Sequence, residues 1–98
     1  MAVSKTRAVE IIKEECKRRT TKTITFGSIK AFGHVIDWNC YFGKLGYAVI
    51  GFPTDGLPHL TEKSFRALVN SLIDDAKAEG AIFKMEWGKM PIEEVTDA

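Results

Sequence analysis

The sequence predicts an α+β fold: a single small domain in the order α-β-β-β-α-β, with an antiparallel sheet and two helices packed on one face. Two segments with apolar residues at helical spacing flank a middle stretch rich in β-branched and aromatic residues and punctuated by glycine. The length of 98 residues suits one domain. We place this domain at residues 1–87 and treat residues 88–98 as a flexible acidic C-terminal tail.

The first helix is expected to begin at the N-cap Ser4 and to run to about Arg19. Two i, i+4 ion pairs in the favourable order are expected on its surface, Glu14 with Arg18 and Glu15 with Arg19. Its apolar stripe consists of Ala8, Val9, Ile12 and Cys16, with Ile11 on the flank.

Three strands follow in the middle of the chain. Residues 20–26 are mostly β-branched or aromatic, and Gly27 ends or bulges this strand. From Phe32 the apolar period is two, and residues 43–46 turn the chain into a third strand at residues 47–52. One face of the second strand holds Ile36, Trp38, Cys40 and Phe42, and the other holds Val35, Asp37, Asn39 and Tyr41.

The C-terminal part combines the clearest helix signature with a last strand. Thr61 is a good N-cap, Leu60 and Phe65 form a candidate hydrophobic staple, and Gly80 fits the residue after the helix. Alternation over residues 81–87 predicts the final strand. The apolar stripe of the helix consists of Phe65, Leu68, Val69, Leu72, Ile73 and Ala76.

An alternative interpretation makes residues 25–36 helical. The apolar positions there also fit helical spacing, and Thr25-Phe26-Gly27-Ser28-Ile29 resembles the strand-to-helix entry of some winged helix-turn-helix domains. That resemblance implies a DNA-reading unit that includes Lys30. The next segment argues against this resemblance, because it would have to form the recognition helix. It contains Gly43, Gly46 and Gly51, each unfavourable in a helix by up to about 1 kcal/mol relative to alanine.

Composition limits the class of protein. The apolar and charged fractions, 45% and 28%, are ordinary for a globular chain. No apolar run approaches the roughly 20 residues of a membrane span, and the N-terminus lacks a signal-peptide core, so we expect a cytoplasmic protein with no membrane partner. Cys16 and Cys40 are expected to be buried, reduced thiols.

Charge is unevenly distributed, although the net charge is only +1. Residues 1–33 hold eight cationic and three acidic side chains, whereas residues 61–98 hold five and eight. This asymmetry has two interpretations: a basic face for nucleic acid or an acidic partner, or attraction between the two ends across the fold.

Aromatic side chains suggest the leading functional hypothesis. Seven of them fall within 27 residues, and a sheet with both helices on one side leaves its other face open to a partner. Phe32, Tyr41 or Tyr47 is expected on that open face. We therefore expect a non-enzymatic interaction module that binds a protein partner through Trp38, Tyr41 and Tyr47, with homodimerisation as a second form of contact. By analogy, such modules act as adaptors or inhibitors of larger complexes, including those carried by mobile elements.

Two alternatives stay open. Nucleic-acid binding would use the basic N-terminal third, namely Lys13, Lys17, Arg18, Arg19, Lys22 and Lys30. An enzyme or small-ligand binder would use an anion site at the start of the second helix, formed by His59, Thr61 and Lys63. The cysteines and histidines lack the close paired spacings of a zinc site, so no metal, cofactor or catalytic residue is expected.

Overall fold

The computed structural model describes residues 2–79, which form an α+β fold with the predicted order of helices and strands up to its second helix. The predicted helix end at Gly80, the strand at residues 81–87 and the tail at residues 88–98 lie outside the described residues. The elements are α1 Lys5–Arg19, β1 Thr25–Phe32, β2 Val35–Tyr41, β3 Tyr47–Pro53 and α2 Glu62–Ala78, with 3-10 helices at Gly43–Leu45 and Thr54–His59.

Helix α1 begins and ends where the sequence predicts. The hydroxyl of its N-cap, Ser4, accepts a hydrogen bond of 3.1 Å from the backbone N–H of Arg7. Its buried side differs from the predicted stripe, because Ile11 and Glu15 are buried whereas Val9 is only half-buried. The helix packs against both β1 and α2, and the contact with α2 buries this flank.

The sheet has the order β1-β2-β3, and both pairings are antiparallel. Strand β1 starts later than predicted, because the chain first turns: the hydroxyl of Thr21 accepts hydrogen bonds from the N–H groups of Thr23 and Ile24. The strand then continues through Gly27, where the pairing with β2 shifts between Phe26 and Ile29. This bulge lets both of those side chains pack against the core.

The helical interpretation of residues 25–36 is wrong, and with it the winged helix-turn-helix resemblance. These residues form β1, a two-residue turn at positions 33–34 and the start of β2. Gly33 has a φ of 60° in that turn, a conformation that breaks a helix and closes a hairpin.

Both helices cover one face of the sheet. Trp38 at the centre of β2 is buried in the same hydrophobic core as the helix residues Ile12 and Val69. Phe52 of β3 packs edge-to-face on Phe65 of α2, with ring centroids 5.3 Å apart. Each large apolar side chain buried here stabilises the fold by about 1.5–3 kcal/mol.

Helix α2 begins with a reciprocal capping box at its N-cap, Thr61. The Thr61 hydroxyl accepts from the Ser64 N–H at 3.1 Å, and the Thr61 N–H donates to the Ser64 hydroxyl at 2.9 Å. Phe65, Val69 and Ile73 are fully buried, which confirms the predicted stripe. No helix among residues 2–79 is both long and apolar enough to cross a membrane.

The opposite face of the sheet, turned away from both helices, is named here the outer face. Its composition follows from the strand pairing, because directly paired residues share a face and neighbours along a strand alternate. The outer face consists of Thr25, Lys30, Phe32, Val35, Asp37, Asn39, Tyr41, Tyr47, Val49, Gly51 and Pro53.

Candidate functional site

An apolar tip ends the outer face at the β1–β2 hairpin. Phe32 is 86% exposed, and Val35, its direct partner across the strands, is 43% exposed. Pro53 of β3 continues the same row and is also exposed. The chain reverses direction in the two-residue turn that begins at Gly33, so no longer loop is present beside the Phe32 ring to cover it. This tip is the clearest exposed aromatic feature of residues 2–79.

Two tyrosines occupy the other end of the outer face. Tyr41 and Tyr47 are paired across β2 and β3, and their rings stack with centroids 6.0 Å apart. Tyr41 is half-buried, but Tyr47 is fully buried. Tyr47 therefore lies on the predicted face, but the expectation that it supplies an exposed ring is wrong.

Trp38 lies on the helix side of the sheet, with only 1% of its surface exposed. The alternation along β2 places it between Ile36 and Cys40, which are also buried. It cannot contact a partner in this fold, so the prediction of Trp38 as a contact residue is corrected to a core role. The predicted site thus separates into one half-exposed residue, Tyr41, and two buried ones.

The predicted basic cluster is divided between two sides of α1. Arg18 donates to Glu15 at 2.9 Å and to the side chain of Asn70 at 2.8 Å, and Arg19 bonds Asp74 of α2. The predicted i, i+4 pairs do not form, because these arginines reach across to the second helix. Attraction between the basic and acidic parts of the chain is therefore realised at the α1–α2 contact.

Further ion pairs continue this helix–helix seam. Arg7 donates two hydrogen bonds of 2.9 Å to Glu62, and Arg66 bonds Glu14 at 2.7 Å and Glu15 at 2.9 Å. The bonds from Arg66 and then Arg7 lower the pKa of Glu14, and the bond from Arg7 lowers the pKa of Glu62. The seam thus holds the helices together and leaves its arginines engaged within the protein.

The lysines of the same cluster remain exposed. Among residues 2–79, Lys13, Lys17, Lys22 and Lys30 form no ion pair. A groove of about 390 Å³ separates α1 from the end of β1. Its lining consists of Lys5, Thr6, Val9, Glu10, Lys13 and Ala31.

A second pocket, of about 410 Å³, lies beside the tyrosine end of the outer face. Tyr41 forms part of its wall, and Lys22 is the cation at its rim. The remaining lining consists of Thr23, Thr25, Gly43 and Gly46. The threonine hydroxyls, the Tyr41 ring and the Lys22 ammonium group give this pocket both polar and apolar lining.

At the start of α2, where the anion site was predicted, the Ser64 N–H is bonded to the Thr61 hydroxyl. Glu62 lies in the first turn, and its carboxylate accepts two hydrogen bonds from Arg7 of α1. His59 and Lys63 are exposed on either side of the cap. The helix dipole is therefore complemented internally.

The cysteines do not offer reactive sulphur. Burial raises the pKa of Cys16 to about 11 and that of Cys40 to about 12, so both thiols are protonated at neutral pH. Within residues 2–79, no three histidine, cysteine or acidic side chains gather as metal ligands.

Comparison with protein-family models gives no match for this chain, and no curated protein or solved structure shows significant similarity to it. Phe32 was expected on the open face only as one of three candidates, with Tyr41 and Tyr47. The signal for its exposure is its position directly before a Gly-His turn, where a side chain has few neighbours.

Proposed function

We propose that this protein is a non-enzymatic interaction module that binds another protein through its outer face, with Phe32 as the anchor. The observation that carries the proposal is the 86% exposure of Phe32 beside the exposed Val35. Burying a phenylalanine side chain stabilises by about 1.5–3 kcal/mol, a gain that the isolated chain leaves unused and a partner can supply.

The charge of the outer face favours a protein over a nucleic acid as partner. Its charged residues are Lys30 and Asp37, which lie directly opposite each other on β1 and β2. The face is thus neutral, with apolar and aromatic side chains at both ends. Protein interfaces are enriched in aromatic residues and depleted of charge at their centre, whereas nucleic-acid surfaces need an excess of cations.

An adaptor or inhibitor of a larger complex is the role that fits such a surface. The tip at Phe32 lies at the end of the β1–β2 hairpin, which is part of a three-stranded sheet, so the backbone that presents it is already ordered before binding. Because burial raises the pKa of both thiols, Cys16 and Cys40 are not activated nucleophiles, and the proposed role does not use them.

Site-specific photocrosslinking tests this proposal. A photoreactive phenylalanine analogue is placed at position 32 and, as a matched control, at the exposed position Ala67 on α2. We expect a nuclease-resistant protein adduct from position 32 alone, competed by unmodified protein but not by the Phe32→Ser variant. Sedimentation of the unmodified chain shows whether the partner is a second copy.

Three results would contradict the proposal. They are equal adducts from positions 32 and 67, adducts that contain only nucleic acid, and full competition by the Phe32→Ser variant. Circular dichroism of that variant checks that its fold is retained, which is expected because an exposed side chain is replaced.

A further inference from the structure

Strand β1 is an open edge of the sheet in the part of the chain that the structure describes. It pairs with β2 alone, so every second residue directs its backbone N–H and C=O groups away from the sheet. The bulge between Phe26 and Ile29 interrupts this edge. The regular stretch is therefore residues 29–32, next to the groove beneath α1.

This groove has an apolar floor and a basic rim. Val9 of α1 and Ala31 of β1 contribute the apolar lining, while Lys5 and Lys13 contribute the cations. Glu10, a carboxylate in this lining, shares Arg7 with Glu14 and Glu62, and the two lysines outnumber it on the rim. The rim is positive as a result.

The lysines extend the positive strip beyond the groove. Lys17 lies one turn after Lys13 on the same side of α1, and Lys22 lies in the segment that leads into β1. Both are exposed and form no ion pair among residues 2–79. Helix α1 therefore directs its arginines to α2 and presents its lysines elsewhere.

We propose that this groove binds an extended, acidic segment of a partner protein, which adds a strand to the edge of β1. Backbone hydrogen bonds to residues 29–32 would hold the segment, and its carboxylates would meet Lys13 and Lys17. Small apolar side chains fit against Val9 and Ala31. This surface uses the backbone edge of β1 and the side chains of α1, whereas the outer face uses the exposed Phe32 and Val35 side chains. The proposal therefore goes beyond the function proposed above.

A peptide fits these features better than a nucleic acid does. Strand addition uses the regular pattern of backbone donors and acceptors along β1, which a sugar-phosphate chain does not match. The apolar floor at Val9 and Ala31 also offers nothing to phosphate groups. The lysines alone would suit either ligand, so the experiment includes both.

The test is a selection from a displayed library of random 12-residue peptides against the full chain. We expect enrichment of sequences that alternate acidic and small apolar residues. With a selected synthetic peptide, NMR shift changes should centre on residues 29–32 and on α1 from Lys5 to Lys13. Replacing the central residue of the peptide with proline should abolish binding, because the paired N–H is lost.

Charge variants complete the test. We expect Lys13→Glu to weaken peptide binding about tenfold, through loss and reversal of a complementary charge. The matched control Lys77→Glu, at an exposed position on α2, should leave binding unchanged. We also expect Lys13→Glu to leave the photocrosslink from position 32 unchanged, which separates this proposal from the one for the outer face.

Four outcomes would overturn the inference. They are a selection that enriches nothing, enriched peptides without acidic residues, shift changes centred outside β1 and α1, and equal binding by Lys13→Glu. A separate arm uses the single-stranded oligonucleotide (dT)12. If it binds more tightly than the selected peptides, with affinity that falls steeply with salt and with Lys13→Glu, the lysine strip is a nucleic-acid surface instead.

Discussion

Glu15 is the buried charged side chain of residues 2–79, and its carboxylate is fully engaged. It accepts hydrogen bonds from Asn70 at 2.8 Å, from Arg18 at 2.9 Å and from Arg66 at 2.9 Å. The bond from Asn70, followed by those from the two arginines, lowers the pKa of Glu15 against the opposing effect of its burial. Glu15 thus links α1 to α2 through the most deeply buried carboxylate of the helix–helix seam.

Removing this carboxylate should destabilise the protein. We expect Glu15→Ala to lower the free energy of unfolding by about 2 kcal/mol, because several charge-assisted hydrogen bonds are lost and their donors are left unpaired. Urea denaturation measures the change. Glu10→Ala, which removes an exposed carboxylate of the same helix, is the control and should have little effect. Equal losses in both variants would show that burial of Glu15 is unimportant.

Acid should weaken the seam between the helices. The pKa values of Glu14, Glu15 and Glu62 are lower in the folded protein than their ordinary value of 4.5. A lowered pKa gives stabilisation that is complete above the unfolded-state value and is lost as the pH falls through the folded-state value. Stability measured by urea denaturation should therefore fall as the pH drops below about 4.5. Stability that stays level or rises down to pH 3 would contradict this.

The thiols should be protected in the native state. Because burial raises the pKa of Cys16 to about 11 and that of Cys40 to about 12, neither is a thiolate at pH 8. We expect a thiol-reactive disulfide reagent to label both slowly in buffer and rapidly in denaturant. If one cysteine reacts equally fast in both conditions, that residue is not buried as described.

At the level of secondary structure, the hairpin turn positions the Phe32 tip. Gly33 has a φ of 60°, and residues with a side chain branched at Cβ strongly disfavour that conformation. We expect Gly33→Val to cost about 1–2 kcal/mol, whereas Gly33→Asn should cost much less because asparagine tolerates left-handed backbone. Thermal or urea denaturation of the two variants measures the difference. Equal stability would mean that the turn has another conformation.

Helices were more predictable than strand boundaries. The hydroxyls of Ser4 and Thr61 each accept a hydrogen bond from a backbone N–H three residues later. Because these contacts are local, the N-caps follow from sequence alone. The start of β1 did not follow, because Thr21 uses its hydroxyl to form a turn where β propensity favoured a strand. The bulge at Gly27 similarly moved Ile29 into the core, an outcome that depends on pairing with β2.

The candidate sites were less predictable, since they depend on tertiary packing. Whether Arg18 and Arg19 face solvent or α2 is decided by how the two helices cross, which no local pattern encodes. The same holds for Tyr47. The alternation of side chains along β3 placed it on the correct face but did not indicate that it is fully buried. The groove beside β1 arises from two segments that are more than a dozen residues apart in sequence.

At the scale of the whole molecule, both helices cover one face of the sheet, and the hairpin tip of the other face is exposed. Both helices bury Trp38 and its neighbours, while Phe32 stands out on the other face. Every functional proposal above uses surface that this arrangement leaves open: the outer face for one protein contact and the edge of β1 for another. The helix–helix seam contributes stability and carries no proposed ligand.

NMR relaxation by a neutral gadolinium chelate in the solvent tests this arrangement most directly, because it reports the depth of each proton below the surface. We predict strong enhancement for the ring protons of Phe32 and the methyl groups of Val35, and little for the indole N–H of Trp38. A Phe32 ring as protected as Trp38 would contradict the proposal for the outer face, and a Trp38 indole as strongly relaxed as Phe32 would contradict the fold on which both interaction proposals rest.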